Sequence, residues 1–212
     1  MKQFLQSASL LGTILWAMAT SAQVDYVDPT IGGQGFMLEP TRPTVQLPNS
    51  MVRVYPMRKD QLDDQIRSFP LTIISHRLGE LFWLMPSGGA ADDAWQQAAA
   101  WDQEITTPYY CSTRFDDSLI RTEFTPTDRC GHFRFSFPSG KATVLLANRQ
   151  PGELSAGNNA SISGKEQFQG MWAYLYGEFS VPVKTQPSGT GNQERLAVSA
   201  ENQSVVEFRY GL

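Results

Sequence analysis

Pairs of adjacent aspartates are the first residues in this sequence whose types and spacing could do chemistry. The chain has three of them, Asp63-Asp64, Asp92-Asp93 and Asp116-Asp117, and two carboxyl groups held a defined distance apart can cleave a glycosidic bond. Each pair also has a local explanation, as part of a charged stretch, a helix start and a hairpin turn respectively. Because neighbours in a strand point to opposite faces of a sheet, we predict that none of these pairs is catalytic.

Histidine and cysteine offer little for a metal site or a nucleophile. His76 and His132 are the two histidines, and without a close pair of cysteines they predict no zinc site. The two cysteines are Cys111 and Cys130. A disulfide between them is chemically possible in an exported protein, but a simple hairpin would place Cys111 opposite a residue near Glu123. The sequence therefore leaves the bridge open.

Four tryptophans could contact a ligand, because an indole ring can stack on the apolar face of a sugar. They are Trp83, Trp95, Trp101 and Trp172. The same side chain also commonly fills the core of a β-sandwich. The sequence alone does not separate these two roles.

Composition and the N-terminus indicate an exported protein. The net charge of −4 and the isoelectric point near 5.2 exclude a basic surface for nucleic acid, since the 17 Lys and Arg residues are scattered. Residues 1–22 have the layout of a signal peptide, with Lys2 ahead of an apolar stretch and small residues before Gln23. The apolar stretch is shorter than the ~20 residues of a membrane span. We predict a secreted or periplasmic chain with no membrane span after cleavage.

Most of the remaining chain has the alternation of β-strands. Residues 132–137 (HFRFSF) place three phenylalanines on one face, and residues 141–147, 172–181, 196–198 and 205–212 continue the pattern. Helix signals are confined to residues 92–101 and, more weakly, 58–67. The prediction is a single all-β domain over residues 23–212, an antiparallel β-sandwich with one or two short helices on its rim.

The terminal stretch, residues 205–212 (VVEFRYGL), has the pattern of a half-buried strand at the end of the chain. A terminus usually ends in exposed polar residues. We therefore expect Phe208 to be covered by a domain outside this chain, which would make the sequence the first part of a longer protein.

A family resemblance follows from a series of motifs in the same order along the chain. The motifs are YVDPTIGG (26–33), VQLP (45–48), ISH (74–76), LMP (84–86), PYY (108–110), FDD (115–117), EFTPTDR (123–129), FRFSFP (133–138) and GEFSVPVK (177–184). Together they resemble the N-terminal domain of glycoside hydrolase family 92, the calcium-dependent exo-acting α-mannosidases. The loops at residues 34–40 and 75–79 depart from the family pattern.

The resemblance implies a supersandwich-like fold and a division of labour with a second domain. In the family, a C-terminal helical barrel carries the catalytic acid, the base and the calcium ligands, so this chain alone is predicted to be inactive and to hold no cofactor. Its expected role is to form part of the wall that binds an α-mannoside glycan, through Gln34, His76, Arg77 and Trp83. The alternative is a free-standing carbohydrate-binding or adhesion module without hydrolase activity.

Overall fold

The computed structural model describes residues 24–31, 43–58, 62–74, 79–88, 98–158, 160–182, 184–187 and 194–212. These residues contain one turn of 3-10 helix, Val24–Tyr26, and fourteen β-strands. The strands are β1 Gln65–Ile66, β2 Phe69–Ile73, β3 Glu80–Ser87, β4 Ala99–Thr107, β5 Tyr110–Phe115, β6 Arg121–Pro126, β7 Cys130–Ser136, β8 Lys141–Ala147, β9 Gly152–Ala156, β10 Ser161–Phe168, β11 Met171–Phe179, β12 Lys184–Pro187, β13 Arg195–Glu201 and β14 Val205–Gly211.

The strands form two antiparallel sheets. The large sheet has nine strands in the order β1-β4-β5-β6-β7-β14-β11-β10-β9, and the small sheet has five in the order β12-β13-β8-β3-β2. The two sheets pack face to face around one hydrophobic cluster. The predicted all-β antiparallel sandwich is therefore confirmed. None of the helical segments in the described ranges has the length and apolar character needed to cross a bilayer.

The core forms because alternate residues of each strand point inward. In β7, Phe133 and Phe135 are buried while Arg134 is exposed, as the alternation predicts. Phe69 of the small sheet lies across the interface, with its ring centroid 5.9 Å from that of Phe133. Edge-to-face contacts of this kind add to the stabilisation from burying apolar area.

The terminal strand β14 lies in the middle of the large sheet, between β7 and β11. Phe208 is fully buried there, and its ring stacks on Phe179 at 4.5 Å between centroids. Gly177 makes room for this ring, because a Cβ at that position would lie 2.4 Å from the phenyl group. The predicted strand is confirmed, but the expectation that another domain covers Phe208 is wrong, since the chain's own sheets bury it.

The helix predicted at residues 58–67 is wrong, and the helix predicted at residues 92–101 is wrong for its last three residues. Within residues 58–67, Gln65–Ile66 is strand β1, which pairs with the start of β4. Residues 99–101, the end of the other predicted helix, belong to β4, and residues 89–97 lie outside the described residues. Trp101 packs against Arg58, at 4.6 Å from ring centroid to guanidinium, and its Nε1 donates to the Asp63 carbonyl at 3.3 Å. Such tertiary contacts outweigh the weak helix propensity.

The two cysteines are both free, and their surroundings differ. Cys111 is buried on β5 opposite Phe124 of β6, whereas Cys130 is exposed at the start of β7. Burial, assisted by the nearby Glu104 carboxylate, raises the pKa of the Cys111 thiol to about 12. Because the thiolate is the reactive form, Cys111 is protected by both burial and protonation.

We therefore expect a thiol reagent such as a maleimide to label one cysteine per native chain at pH 8. Mass spectrometry should locate the label on Cys130, and both cysteines should react in urea. Cys130→Ser is the matched control, since it should remove labelling of the native chain. Rapid labelling of native Cys130→Ser would contradict the burial of Cys111.

Candidate functional site

Trp83 is the one predicted sugar-contact residue that lies among the described residues. It is on β3, directly opposite Pro70 of β2 and Ala147 of β8. The adjacent row, Leu84 with Phe69 and Leu146, points into the core, so Trp83 lies on the outer face of the small sheet. It is only partly exposed.

Arg149, which follows β8, covers the indole ring of Trp83. Its guanidinium carbon lies 4.7 Å from the ring centroid, which is a cation–π geometry. Its Nε also lies 3.8 Å from Oε2 of Glu80, a nearly buried carboxylate at the start of β3. An aromatic ring, a cation and a carboxylate thus lie together in one group, Trp83, Arg149 and Glu80, which we call the Trp83 cluster.

Glu166 of β10 fixes the backbone beneath the Trp83 cluster. Its carboxylate accepts hydrogen bonds from the backbone N–H groups of Phe82 and Arg149, both at 2.8 Å, and of Gln150 at 3.3 Å. Burial raises the pKa of Glu166, although these N–H donors and the charge of Arg149 oppose the shift. The carboxylate joins β10 of the large sheet to β3 and to the segment after β8, which holds Trp83 and Arg149 in register.

Two buried polar atoms near this cluster have no hydrogen-bond partner within the described part of the chain. They are Nε1 of Trp83 and Oδ1 of Asn148. The amide nitrogen of Asn148 is satisfied, because it donates to the Lys165 carbonyl at 3.1 Å. Buried polar atoms are normally hydrogen-bonded, so the indole N–H is an unsatisfied donor that lies below the surface. The cluster as a whole combines this donor with a cation and an aromatic ring.

Three of the four predicted contact residues, Gln34, His76 and Arg77, lie outside the described residues, and their roles stay predictions. In the sequence, His76 and Arg77 stand between the end of β2 at Ile73 and the start of β3 at Glu80. Of the other tryptophans, Trp95 is also outside the described residues, and Trp101 has the structural contacts given above. Sequence reasoning missed Arg149, Glu80 and Glu166, because they are ordinary charged residues with no local motif.

The structure also brings together three motifs that are far apart in the sequence. A depression of ≈ 520 Å³ at one end of the sandwich is lined by Val24, Val27, Pro108, Tyr109 and residues 46–49. The backbone N–H of Gln46 donates to the Pro108 carbonyl at 3.0 Å, which links two of the motifs. Val27 and Tyr109 leave about half of their surface exposed. We call this surface the motif patch.

The described residues hold no group of three or more His, Cys, Asp or Glu side chains that could bind a metal ion. The calcium that the family resemblance implies therefore finds no matching set of ligands among them. Asp28, which follows Val27 of the motif patch in the sequence, accepts hydrogen bonds from Thr30, at 2.6 Å from the hydroxyl and 2.8 Å from the N–H. Those bonds lower its pKa.

The fold defines a class of protein, a two-sheet antiparallel β-sandwich domain. Solved structures with this fold include the family GH92 α-mannosidase BT3965 from Bacteroides thetaiotaomicron, at 18% identity and a TM-score of 0.73 over 89% of this chain and 33% of that chain. The same protein in complex with mannoimidazole matches at 17% identity and the same TM-score over 89% of this chain and 32% of that one. The GH92 family glycosyl hydrolase ccman5 matches at 16% identity and a TM-score of 0.71, with the same coverage of 89% and 32%.

The particular family follows from the sequence match. The family model of the glycosyl hydrolase family 92 N-terminal domain matches residues 26–210, and the chain belongs to this family. No curated protein sequence matches the chain significantly. The chain spans about a third of the length of the solved structures that it resembles.

Proposed function

We propose that this chain is the N-terminal part of an exported α-mannosidase-like glycoside hydrolase. In this proposal the sandwich forms one wall of the glycan-binding pocket and packs on a helical barrel domain. Family membership over residues 26–210 supports it, as does the description of BT3965 as an α-mannosidase three times as long. Export to a secreted or periplasmic location rests on the signal-like residues 1–22.

The observation that carries the proposal is the motif patch. Three of the family-like motifs, at residues 26–31, 45–48 and 108–110, meet at one end of the sandwich. The patch is mainly apolar and open to solvent, with Val27 53% and Tyr109 44% exposed. Exposed apolar surface of this kind marks an interaction site. We assign the motif patch to the contact with the barrel domain.

The roles of the two domains then differ. Trp83 and Arg149, together with Gln34, His76 and Arg77, are proposed to contact an α-mannoside, and we assign no catalytic acid or base to this chain. The calcium of the family is assigned to the barrel, as the family resemblance implies. Within the Trp83 cluster, Arg149 covers the indole ring and is 40% exposed, so its guanidinium is the group proposed to meet a sugar hydroxyl.

An assay of the purified chain tests this division of roles. The exported chain, whose N-terminus mass spectrometry should place at Gln23, is incubated with aryl α-mannosides and calcium. We expect no hydrolysis above the rate in buffer. Turnover that follows the purified chain would contradict the assignment of the chemistry to another domain.

A titration of the ¹⁵N-labelled chain tests the wall itself. Methyl α-mannoside should shift the indole N–H resonance of Trp83 and nearby amides, with a Kd of about 1 mM or weaker because one wall supplies part of the contacts. Methyl β-galactoside is the control sugar and should cause smaller shifts. Trp83→Phe removes the indole donor and should abolish the response. Equal shifts with both sugars would contradict a mannoside wall.

A further inference from the structure

A row of exposed aromatic rings lies on the outer face of the large sheet, away from the Trp83 cluster. Trp172, Tyr174 and Tyr176 alternate along β11 and are 49%, 64% and 56% exposed. The residues between them are oriented the other way, and Leu175 is buried in the core. Successive rings are spaced by about 7 Å, since a strand rises about 3.4 Å per residue. We call these three residues the β11 aromatic row.

The pairing of β11 with both of its neighbours positions the row. β10 pairs along the strand from Met171 to Glu178, and β14 pairs from Tyr176 to Phe179. The turn between β10 and β11 has positive φ at Gln169 and Gly170, the geometry of a tight hairpin. The regular pairing across β10 holds the three side chains on one face of a short hairpin.

Polar side chains flank each ring across the hairpin. Gln167 lies opposite Trp172, Lys165 opposite Tyr174 and Ser163 opposite Tyr176. The next strand, β9, adds Ser155 opposite Ser163 and Glu153 opposite Lys165. Each aromatic ring therefore has a hydrogen-bonding group beside it on the same face of the sheet.

Existing contacts on this face are short-range and exposed. The hydroxyls of Ser155 and Ser163 lie 3.1 Å apart, and Lys165 pairs with Glu153 at 3.1 Å. The Lys165 ammonium also lies 5.6 Å from the ring centroid of Trp172. Surface contacts of this kind contribute little to stability, so a ligand could replace them at small cost.

The alternation of rings and polar groups fits a carbohydrate better than a protein or a nucleic acid. A sugar presents an apolar C–H face to an aromatic ring and hydroxyls to the polar groups around it. A protein partner with a dry apolar centre would leave Gln167 and Ser163 desolvated and unpaired. Nucleic acid is disfavoured, since Glu153 balances the charge of Lys165 and the chain is acidic overall.

We propose that the β11 aromatic row is a second carbohydrate-binding site, which takes an extended chain of several sugar units across Trp172, Tyr174 and Tyr176. It is distinct from the proposed pocket wall, because Trp83 lies on the outer face of the other sheet. Holding a polysaccharide at this surface raises its effective concentration near the rest of the protein. The site therefore serves as a tether and has no part in bond cleavage.

Affinity electrophoresis and calorimetry with soluble polysaccharides test the proposal. The probes are α-mannan, xylan, galactan and a mixed-linkage β-glucan, each offered to the purified chain. We expect retardation by at least one of them, and a loss of affinity of about tenfold or more in the double variant Trp172→Ala/Tyr174→Ala. Tyr109→Ala, an exposed aromatic residue of the motif patch, is the matched control and should bind like the parent chain.

Two further measurements establish whether the aromatic row itself holds the polysaccharide. The double variant should keep the thermal midpoint of the parent within a few degrees, because both side chains are exposed, so a loss of binding reports the site and not unfolding. The double variant should also keep the response of the Trp83 indole N–H to methyl α-mannoside, which distinguishes the row from the proposed pocket wall. The proposal is overturned if no polysaccharide of the panel binds, or if the double variant binds as tightly as the parent. It is also overturned if the parent chain is a dimer and the double variant is a monomer, because the aromatic row would then be a dimer interface.

Discussion

Phe208→Ala is expected to lower the free energy of unfolding by about 3 to 5 kcal/mol, the range for deleting a buried phenyl group. Phe208 is fully buried in the central strand of the large sheet. Its ring stacks on Phe179 at 4.5 Å and on Tyr210 at 5.6 Å. The space left behind cannot close by collapse of its neighbours, because Gly177 beneath the ring has no side chain to move.

Urea unfolding followed by circular dichroism measures this effect. Ile105→Ala is the matched control, since Ile105 is about half exposed on β4 and its loss should change stability by less than about 0.5 kcal/mol. Phe208→Leu should fall between the two, because it keeps part of the volume. A stability loss under about 1 kcal/mol in Phe208→Ala would mean that β14 is not the packed centre of the large sheet.

Glu166→Ala is expected to lower the free energy of unfolding by about 3 kcal/mol, because it leaves three buried backbone N–H donors without an acceptor. Glu166 is fully buried and accepts bonds from Phe82, Arg149 and Gln150. A buried donor that loses its acceptor carries its whole desolvation cost. Glu166→Gln keeps the shape and one acceptor oxygen, so it should cost roughly half as much. Equal losses in the two variants would argue against the hydrogen bonds as the cause.

A comparison of the parent chain with Glu166→Gln tests how the stability contributed by Glu166 depends on pH. Burial raises the folded pKa of Glu166 above its ordinary value of 4.5, so the ionised form is less favourable in the folded chain than in the unfolded one. The stability that the protonated group contributes is fully present below about pH 4.5 and is lost as pH rises through the folded pKa. The unfolding free energy of the parent, relative to Glu166→Gln, should therefore fall as pH increases from about 4. A rise over that interval would show that the N–H donors outweigh burial.

The strands could be predicted where one face of a strand is uniformly apolar. The alternation of residues 132–137 predicted the strand and the inward direction of Phe133 and Phe135, and β7 confirms both. The apolar run 141–147 predicted a strand buried on both faces, and β8 is central in the small sheet with its last four residues buried. Period-two burial is a local property, so sequence inspection detects it.

The helix at residues 58–67 was mispredicted because the decisive contacts are distant. Gln65 and Ile66 pair with Ala100 and Ala99, more than thirty residues along the chain. Their local residues favour a helix weakly, and pairing with β4 and burial of Ile66 favour a strand more strongly. No window of a few residues contains that information.

The candidate site divides in the same way. Trp83 was predicted as a contact residue from its type alone, and that role stays a prediction. The surroundings of Trp83 could not be predicted. Arg149 follows β8, the strand beside β3, and packs on the indole ring, and Glu166 accepts a hydrogen bond from the backbone N–H of Phe82 although the two residues are 84 positions apart in the sequence. The β11 aromatic row was visible as an alternation of Trp172, Tyr174 and Tyr176, but only the structure shows that these three rings point to solvent.

By itself, the sequence determined the all-β class and the family, because the alternation of apolar and polar residues and the order of the motifs can be observed in the residue order without knowing which strands are neighbours. The tertiary structure decided which face of each strand is covered. It buried Phe208 within the chain's own sheets, exposed the aromatic row on β11 and gathered the Trp83 cluster from β3 and the segment after β8. The physical reason is that burial and hydrogen bonding depend on which strands become neighbours, and that depends on the packing of the whole chain.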